Sequence, residues 1–194
     1  MMKDDKMMND KHMMKDDKMS MEKNINVKLV NKNIHEIYLA GGCFWGVEAY
    51  MEKIYGVIDV TSGYANGKTK NPKYQDLHSS GHAETVHVKY DASKVNLSTL
   101  LKYYFKIIDP TSVNKQGNDR GSQYRTGIYY VDEETREEVV KFIEELQKNY
   151  TKKIAVEVEE VNNYIDAEEY HQKYLEKNPT GYCHVDLSLA KKSL

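Results

Sequence analysis

The 194-residue sequence predicts an α+β fold: a two-layer sandwich with a ferredoxin-like, split-βαβ (βαββαβ) core and a C-terminal extension. Three observations carry this. From about residue 34, short apolar or alternating stretches take turns with stretches of helical period in the order βαββαβ. The helical stretches are one-sided, as in Leu97, Leu100, Leu101, Tyr104 and Ile108, so they cover one face of a sheet. Two long polar segments, 65–83 and 109–123, each contain glycine and interrupt the regular pattern.

Taken in order, Ile34 to Ala40 is an apolar strand, and Phe44 to Ile54 a helix with Val47, Tyr50, Met51 and Ile54 on one side. Gly56 to Tyr64 is a strand rich in Val, Ile and Thr. A polar loop with Asn66-Gly67 and Asn71-Pro72 follows. Thr85 to Tyr90 alternates as a half-buried strand. Asn96 or Ser98 can cap the next helix. After the loop 109–123, Tyr124 to Val131 is a fourth strand. Asp132 caps a charged helix to about Tyr150, with Val139, Phe142, Ile143 and Leu146 inward. Ile154 to Val161 reads as a further strand and Asp166 to Lys177 as a short helix.

Residues 1–30 stand apart as a Met/Lys/Asp-rich tail, leaving 31–194 as the folded domain. Met1-Met2-Lys3-Asp4-Asp5-Lys6-Met7 recurs as Met13-Met14-Lys15-Asp16-Asp17-Lys18-Met19. Over residues 1–24, six lysines balance six acids and no aromatic or branched aliphatic residue occurs. Such a segment cannot bury enough to offset its ordering entropy, so disorder is expected.

A formal charge of -2 gives no electrostatic case for nucleic acid or an anionic membrane. No apolar run approaches a membrane span or a signal sequence, so a cytoplasmic protein is expected. Two cysteines, Cys43 and Cys183, are too few for a disulfide scaffold, but they could form a transient redox pair.

The chemistry centres on Gly41-Gly42-Cys43-Phe44-Trp45-Gly46, which holds the only Trp. Two glycines permit a tight strand-to-helix turn, bringing Cys43 to the start of a helix. Unpaired N–H groups there favour an anion, which lowers a thiol's pKa. The residues leave two readings open: an activated nucleophile beside an apolar wall, or a buried structural cysteine. By strand parity Glu84 shares the apolar face of Val86, Val88 and Tyr90, where desolvation would raise its pKa towards neutrality. Tyr74 and Tyr124, in or beside the long loops, could aim hydroxyls at a substrate oxygen. His78, His82 and His87 lie near Glu84 in sequence, but no zinc-type spacing is present. The glycine-rich turn is neither GxGxxG nor a P-loop, so no nucleotide, metal or other cofactor is expected.

Four motifs in order, Gly41-Gly42-Cys43-Phe44-Trp45-Gly46, Gly81-His82-Ala83-Glu84, Gln116-Gly117-Asn118-Asp119 and Asn178-Pro179-Thr180-Gly181-Tyr182-Cys183, resemble the peptide methionine sulfoxide reductase A family. The resemblance covers about residues 34–187. It implies an α+β sandwich catalytic domain that reduces methionine S-sulfoxide, free or protein-bound, in repair of oxidised proteins. It further implies Cys43 as nucleophile, Glu84 as proton donor, Tyr74 and Tyr124 as hydrogen-bond partners of the oxygen, and Asp119 as an organiser. Phe44 and Trp45 would hold the S-methyl group. Cys43 would become a sulfenic acid, resolved by Cys183 to a disulfide that thioredoxin reduces. A monomer is expected. Without a further cysteine after Cys183, one disulfide must serve.

Two rivals are a cysteine hydrolase using His82 as base, and a non-catalytic binding module in which Cys43 is buried and slow to alkylate.

Eight of the nine methionines lie in the tail, where exposed thioethers would be oxidised first. Peptide mapping after mild peroxide is expected to find them oxidised well ahead of Met51; equal oxidation would dismiss a sacrificial role.

Overall fold

The computed structural model describes residues 33–192 and 194. The tail read at residues 1–30 lies outside the described residues. The elements that position the site are β1 (Ile34–Gly41), α1 (Phe44–Met51), β2 (Val57–Ala65), α2 (Leu77–Ser80), β3 (Ala83–Asp91) and α3 (Leu97–Phe105). They continue as β4 (Lys115–Gln116), β5 (Asp119–Arg120), β6 (Thr126–Tyr130), α4 (Glu133–Gln147), β7 (Glu157–Glu160), β8 (Ile165–Asp166) and α5 (Tyr174–Lys177).

The main sheet runs β7-β6-β1-β3-β2-β8. Its middle four strands have the split-βαβ order, β6-β1-β3-β2, so the α+β reading stands. The β1–β6 and β2–β3 pairs are antiparallel. The sheet as a whole is mixed: β7 joins β6 in parallel, as a strand returning through a crossover helix must. Both helix caps follow the sequence: Asn96 accepts from the Thr99 N–H, and Asp132 from the Thr135 N–H, each at 2.8 Å.

Strand alternation sorts side chains to two faces. Ile37 and Leu39 of β1, Val86 and Val88 of β3 and Ile128 of β6 meet Val47, Tyr50, Leu100, Leu101, Tyr104 and Val139 of the helices in the main core. Tyr38, Ala40, Ala83 and Tyr129 turn to the other face, where Val161 and Tyr164 of the C-terminal extension cover them. Among the described residues no helix is long and apolar enough to cross a membrane.

The helix expected over Asp166 to Lys177 does not form. Residues 165–166 pair with β2 instead, a 3₁₀ turn occupies 169–171, and only Tyr174–Lys177 is α-helical. The break is at Lys173, in the left-handed region at φ 53°. Tertiary contacts hold it there. The Gln172 amide imitates a strand on the β2 edge, with its Oε1 accepting from Ser62 N–H at 2.9 Å and its Nε2 donating to Ser62 O at 2.8 Å. The next N–H, of Lys173, donates to the buried Glu48 carboxylate at 2.8 Å. These bonds outweigh local propensity.

Gln172→Ala removes both Ser62 bonds. Urea unfolding is expected to give a loss of ~1–3 kcal/mol, with a shift in the emission of Trp45, whose stacking partner Tyr174 follows the clamp in sequence.

Candidate active site

The site begins where β1 ends. Gly42 has φ +87°, and a Cβ there would lie 2.8 Å from Gln116 Cβ and 2.9 Å from His184 Nε2, so only glycine makes this turn. Cys43 then becomes the N-cap of α1. The lowered thiol pKa expected from that position is not found. The first free N–H of the helix, on Phe44, donates instead to Glu84 Oε1 at 3.3 Å. Cys43 is only 8% exposed. Burial, and then the charge of Glu84, push its thiol up to about 12, and the Trp45 N–H offsets this only in part.

Glu84 is 2% exposed and sits on the apolar face, as strand parity required. Burial pushes its carboxyl up to about 8, although the Phe44 N–H and the Gln123 amide (3.4 Å from Oε2) favour the charged form. At neutral pH both the thiol and the carboxyl therefore hold their protons.

The two long loops converge here. The first carries Tyr74 and the second leads into Tyr124, and their hydroxyls act on one another electrostatically. Burial, and then the charge of Glu84, raises the pKa of both. Asp119 acts electrostatically on Cys43 and Glu84 and accepts from the Tyr182 hydroxyl at 3.0 Å. A reciprocal pair of 2.9 Å bonds between the Gln116 amide and the Asp109 backbone shapes that loop. The short β4–β5 ribbon then pairs Gln116 with Asp119.

The aromatic wall is built from distant parts of the chain. Trp45 stacks on Tyr174 with ring centroids 3.6 Å apart and donates from its indole N–H to His171 Nδ1 at 3.1 Å. Phe44 packs against Tyr64 and His171. Glu168 ties the first loop down, accepting from Tyr64 Oη at 2.6 Å and from the Tyr74 N–H at 3.0 Å. Tyr74 is 37% exposed, so the site is open on that side.

Cys183 is half-buried and unpaired, and its thiol acts on Cys43. A Cβ added at Gly46, in the first turn of α1, would lie 3.2 Å from Cys183 Sγ. All eight sequence-derived site residues thus gather around one turn of chain. Sequence reasoning missed Gln123, His171, Tyr174 and the Tyr182 hydroxyl. Nothing in the local pattern sets Gln123, His171 and Tyr174 apart from other polar and aromatic residues, whereas Tyr182 lies inside the fourth motif, where only Cys183 carries a predicted role. The histidines near Glu84 do not converge: His78 is exposed, His87 faces Glu36 at 2.7 Å, and His82 is bound at 2.6 Å to the Thr69 carbonyl. His82, held on that loop, is not a base for Cys43.

A ferredoxin-like sandwich with a thiol and a proton-bearing carboxyl behind an aromatic wall defines a thiol-dependent oxidoreductase. The chain belongs to the peptide methionine sulfoxide reductase family, whose model matches residues 35–194. Among solved structures it resembles Mxr1 from Saccharomyces cerevisiae in reduced form, at 39% identity and a TM-score of 0.74, covering 78% of this chain and 90% of that one. Methionine sulfoxide reductase A of Corynebacterium diphtheriae is similar at 32% identity and a TM-score of 0.75, covering 78% of each chain. Yeast Mxr1 in complex with Trx2 matches at 30% identity and a TM-score of 0.55, over 74% of this chain and 86% of that one. Cys43 is buried, as a non-catalytic module would have it, but the chain belongs to a reductase family.

Iodoacetamide is expected to label Cys43 slowly at pH 7, by mass spectrometry, and faster above pH 9 in Glu84→Gln, where no carboxylate opposes the thiolate. The same variant separates stability from chemistry. Native Glu84 keeps a proton that the unfolded chain loses above about pH 4.3, so wild-type stability falls as pH rises from there to about 8. Glu84→Gln lacks this loss and is expected to be more stable than wild type at pH 8 by roughly 2–4 kcal/mol, by urea unfolding.

Proposed function

We propose that this reductase acts on the S epimer of methionine sulfoxide, protein-bound or free, with Cys43 as nucleophile and Glu84 as acid. One observation carries the reading: a buried carboxyl that is protonated at neutral pH bonds to the N–H next to a buried thiol. The substrate methyl group fits against Phe44 and Trp45. The sulfoxide oxygen then faces Glu84, Tyr74 and Tyr124, with Asp119 and its Tyr182 partner ordering the rim.

Proton and electron flow balance within the pair. Glu84 gives its proton to the sulfoxide oxygen, which makes the sulfur electrophilic. Cys43 sulfur bonds to it, and the thiol proton returns to Glu84. The substrate's S–O bond and the new S–S bond then break together: hydroxyl passes to Cys43 and the S–S electron pair stays on the substrate sulfur, so methionine leaves reduced and Cys43 is oxidised to a sulfenic acid. A high resting thiol pKa suits this order, because the thiol is unreactive until the acid polarises the correct substrate.

Cys183 attacks the sulfenic sulfur, giving a Cys43–Cys183 disulfide and water. Thioredoxin as the reductant is supported by the relative solved in complex with Trx2. A cytoplasmic setting, where thioredoxin keeps thiols reduced, fits such a cycle. The open side at Tyr74 admits a methionine within a polypeptide, which fits repair of oxidised proteins by a monomer.

Separate S and R epimers of a methionine sulfoxide peptide, assayed with thioredoxin and with dithiothreitol, test the reading. Turnover of S alone is expected, about 100-fold or more slower in Glu84→Gln. Cys183→Ser is expected to lose thioredoxin-driven but keep dithiothreitol-driven turnover. Equal use of both epimers, or full thioredoxin-driven activity in Cys183→Ser, would refute it.

A further inference from the structure

His184 has no part in the steps above, yet its ring is held in a single tautomer beside Cys183. Its Nε2 lies 3.0 Å from the Gly41 carbonyl oxygen. A carbonyl only accepts, so Nε2 carries the proton and Nδ1 is left as a bare lone pair. That Nδ1 is buried and has no hydrogen-bond partner among the described residues. Buried polar atoms without partners are rare, and each calls for a reason.

The reason lies across Gly46. A Cβ there would be 3.1 Å from Val185 Cγ2, 3.2 Å from Cys183 Sγ and 3.4 Å from His184 Nδ1, so thiol and lone pair, with the Val185 methyl, border one small space beside the glycine. In the reduced enzyme the thiol donates elsewhere, to the Val185 carbonyl at 3.2 Å. Burial keeps the imidazole neutral and able to accept, opposed by the Gly41 bond and by Asp119, the charged group acting on the ring. Cys183 is the titratable group beside it across Gly46.

We propose that His184 is the base of the resolving step, its Nδ1 taking the Cys183 thiol proton across the space left by Gly46. The inference rests on Cys183 being the resolving residue. A thiol is a poor nucleophile and a thiolate a good one, so the step needs a proton acceptor. With the proton on Nδ1, Cys183 sulfur bonds to Cys43 sulfur and the S–O bond of the sulfenic acid breaks. The departing hydroxide takes the proton from the imidazolium and leaves as water. The sulfenic acid is the oxidant, supplied by the substrate, and no other reactant is needed. Burial also returns the ring to its neutral state after each cycle.

The test is a single turnover of the full chain with one equivalent of a methionine S-sulfoxide peptide and no reductant, from pH 6 to 9. Methionine release, loss of free thiols and capture of sulfenic acid by dimedone are followed together. In His184→Gln the amide N–H still reaches the Gly41 carbonyl, but the basic atom is gone. Disulfide closure is expected to slow at least ten-fold relative to methionine release, dimedone to capture Cys43, and the gap to narrow as pH rises and hydroxide replaces the base. Gly46→Ala fills the shared space without touching the Gly41 bond and is expected to slow the same step. An unchanged ratio of the two steps in His184→Gln at every pH overturns the proposal, as does equal slowing of both steps, which marks a structural role. Cys183→Ser is the separate control: if its sulfenic acid disappears at the wild-type rate, the resolving assignment itself has failed.

Discussion

The hydrogen bond from the Phe44 N–H to the Glu84 carboxyl is the contact on which the site depends. It joins the start of α1 to the start of β3, and it spends the first helix donor on a carboxyl, leaving only the Trp45 N–H to favour a Cys43 thiolate. Desolvation at this depth outweighs the donors, so Glu84 is an acid rather than an anion. An acid and a thiol, each holding a proton, form a resting state that is chemically quiet. On the proposed reading only a bound sulfoxide connects them.

The wall facing that pair is built from elements far apart in the chain. Trp45 needs Tyr174 for stacking and His171 for its indole N–H. Both come from the C-terminal extension, which has little helical or strand structure of its own. That extension is held by polar side chains in place of a core: Gln172 on the β2 edge, Glu48 on the Lys173 N–H, and Glu168 on Tyr64 and Tyr74. Lys173 also pairs with Glu52, which caps the C-terminus of α1. Such bonds are individually modest, but each anchors a segment whose backbone would otherwise lack partners. The same segment carries Cys183 and His184 to the first turn of α1, so the aromatic wall and the second thiol share one support.

Much of this was legible in the residues. Local periodicity gave the strands and helices of the βαββαβ core, because burying one face of each element demands that pattern. Strand parity placed Glu84 on the apolar face, and the glycine pair placed Cys43 at a helix start. The direction of the Cys43 pKa was not legible. A helix N-terminus favours a thiolate, and only the tertiary structure reveals that the donor is taken by Glu84 and the sulfur is buried. The break at Lys173 was equally hidden, since neither Gly nor Pro marks it.

By itself, then, the sequence determined the layered architecture, the four ordered motifs and the residue types available for chemistry, because these follow from short-range spacing and composition. The tertiary structure alone decided which polar groups lose water together, which side chain receives a given N–H, and how a tail segment folds back over α1. Those outcomes depend on contacts between residues 40 to more than 120 positions apart, and local pattern carries no information about them.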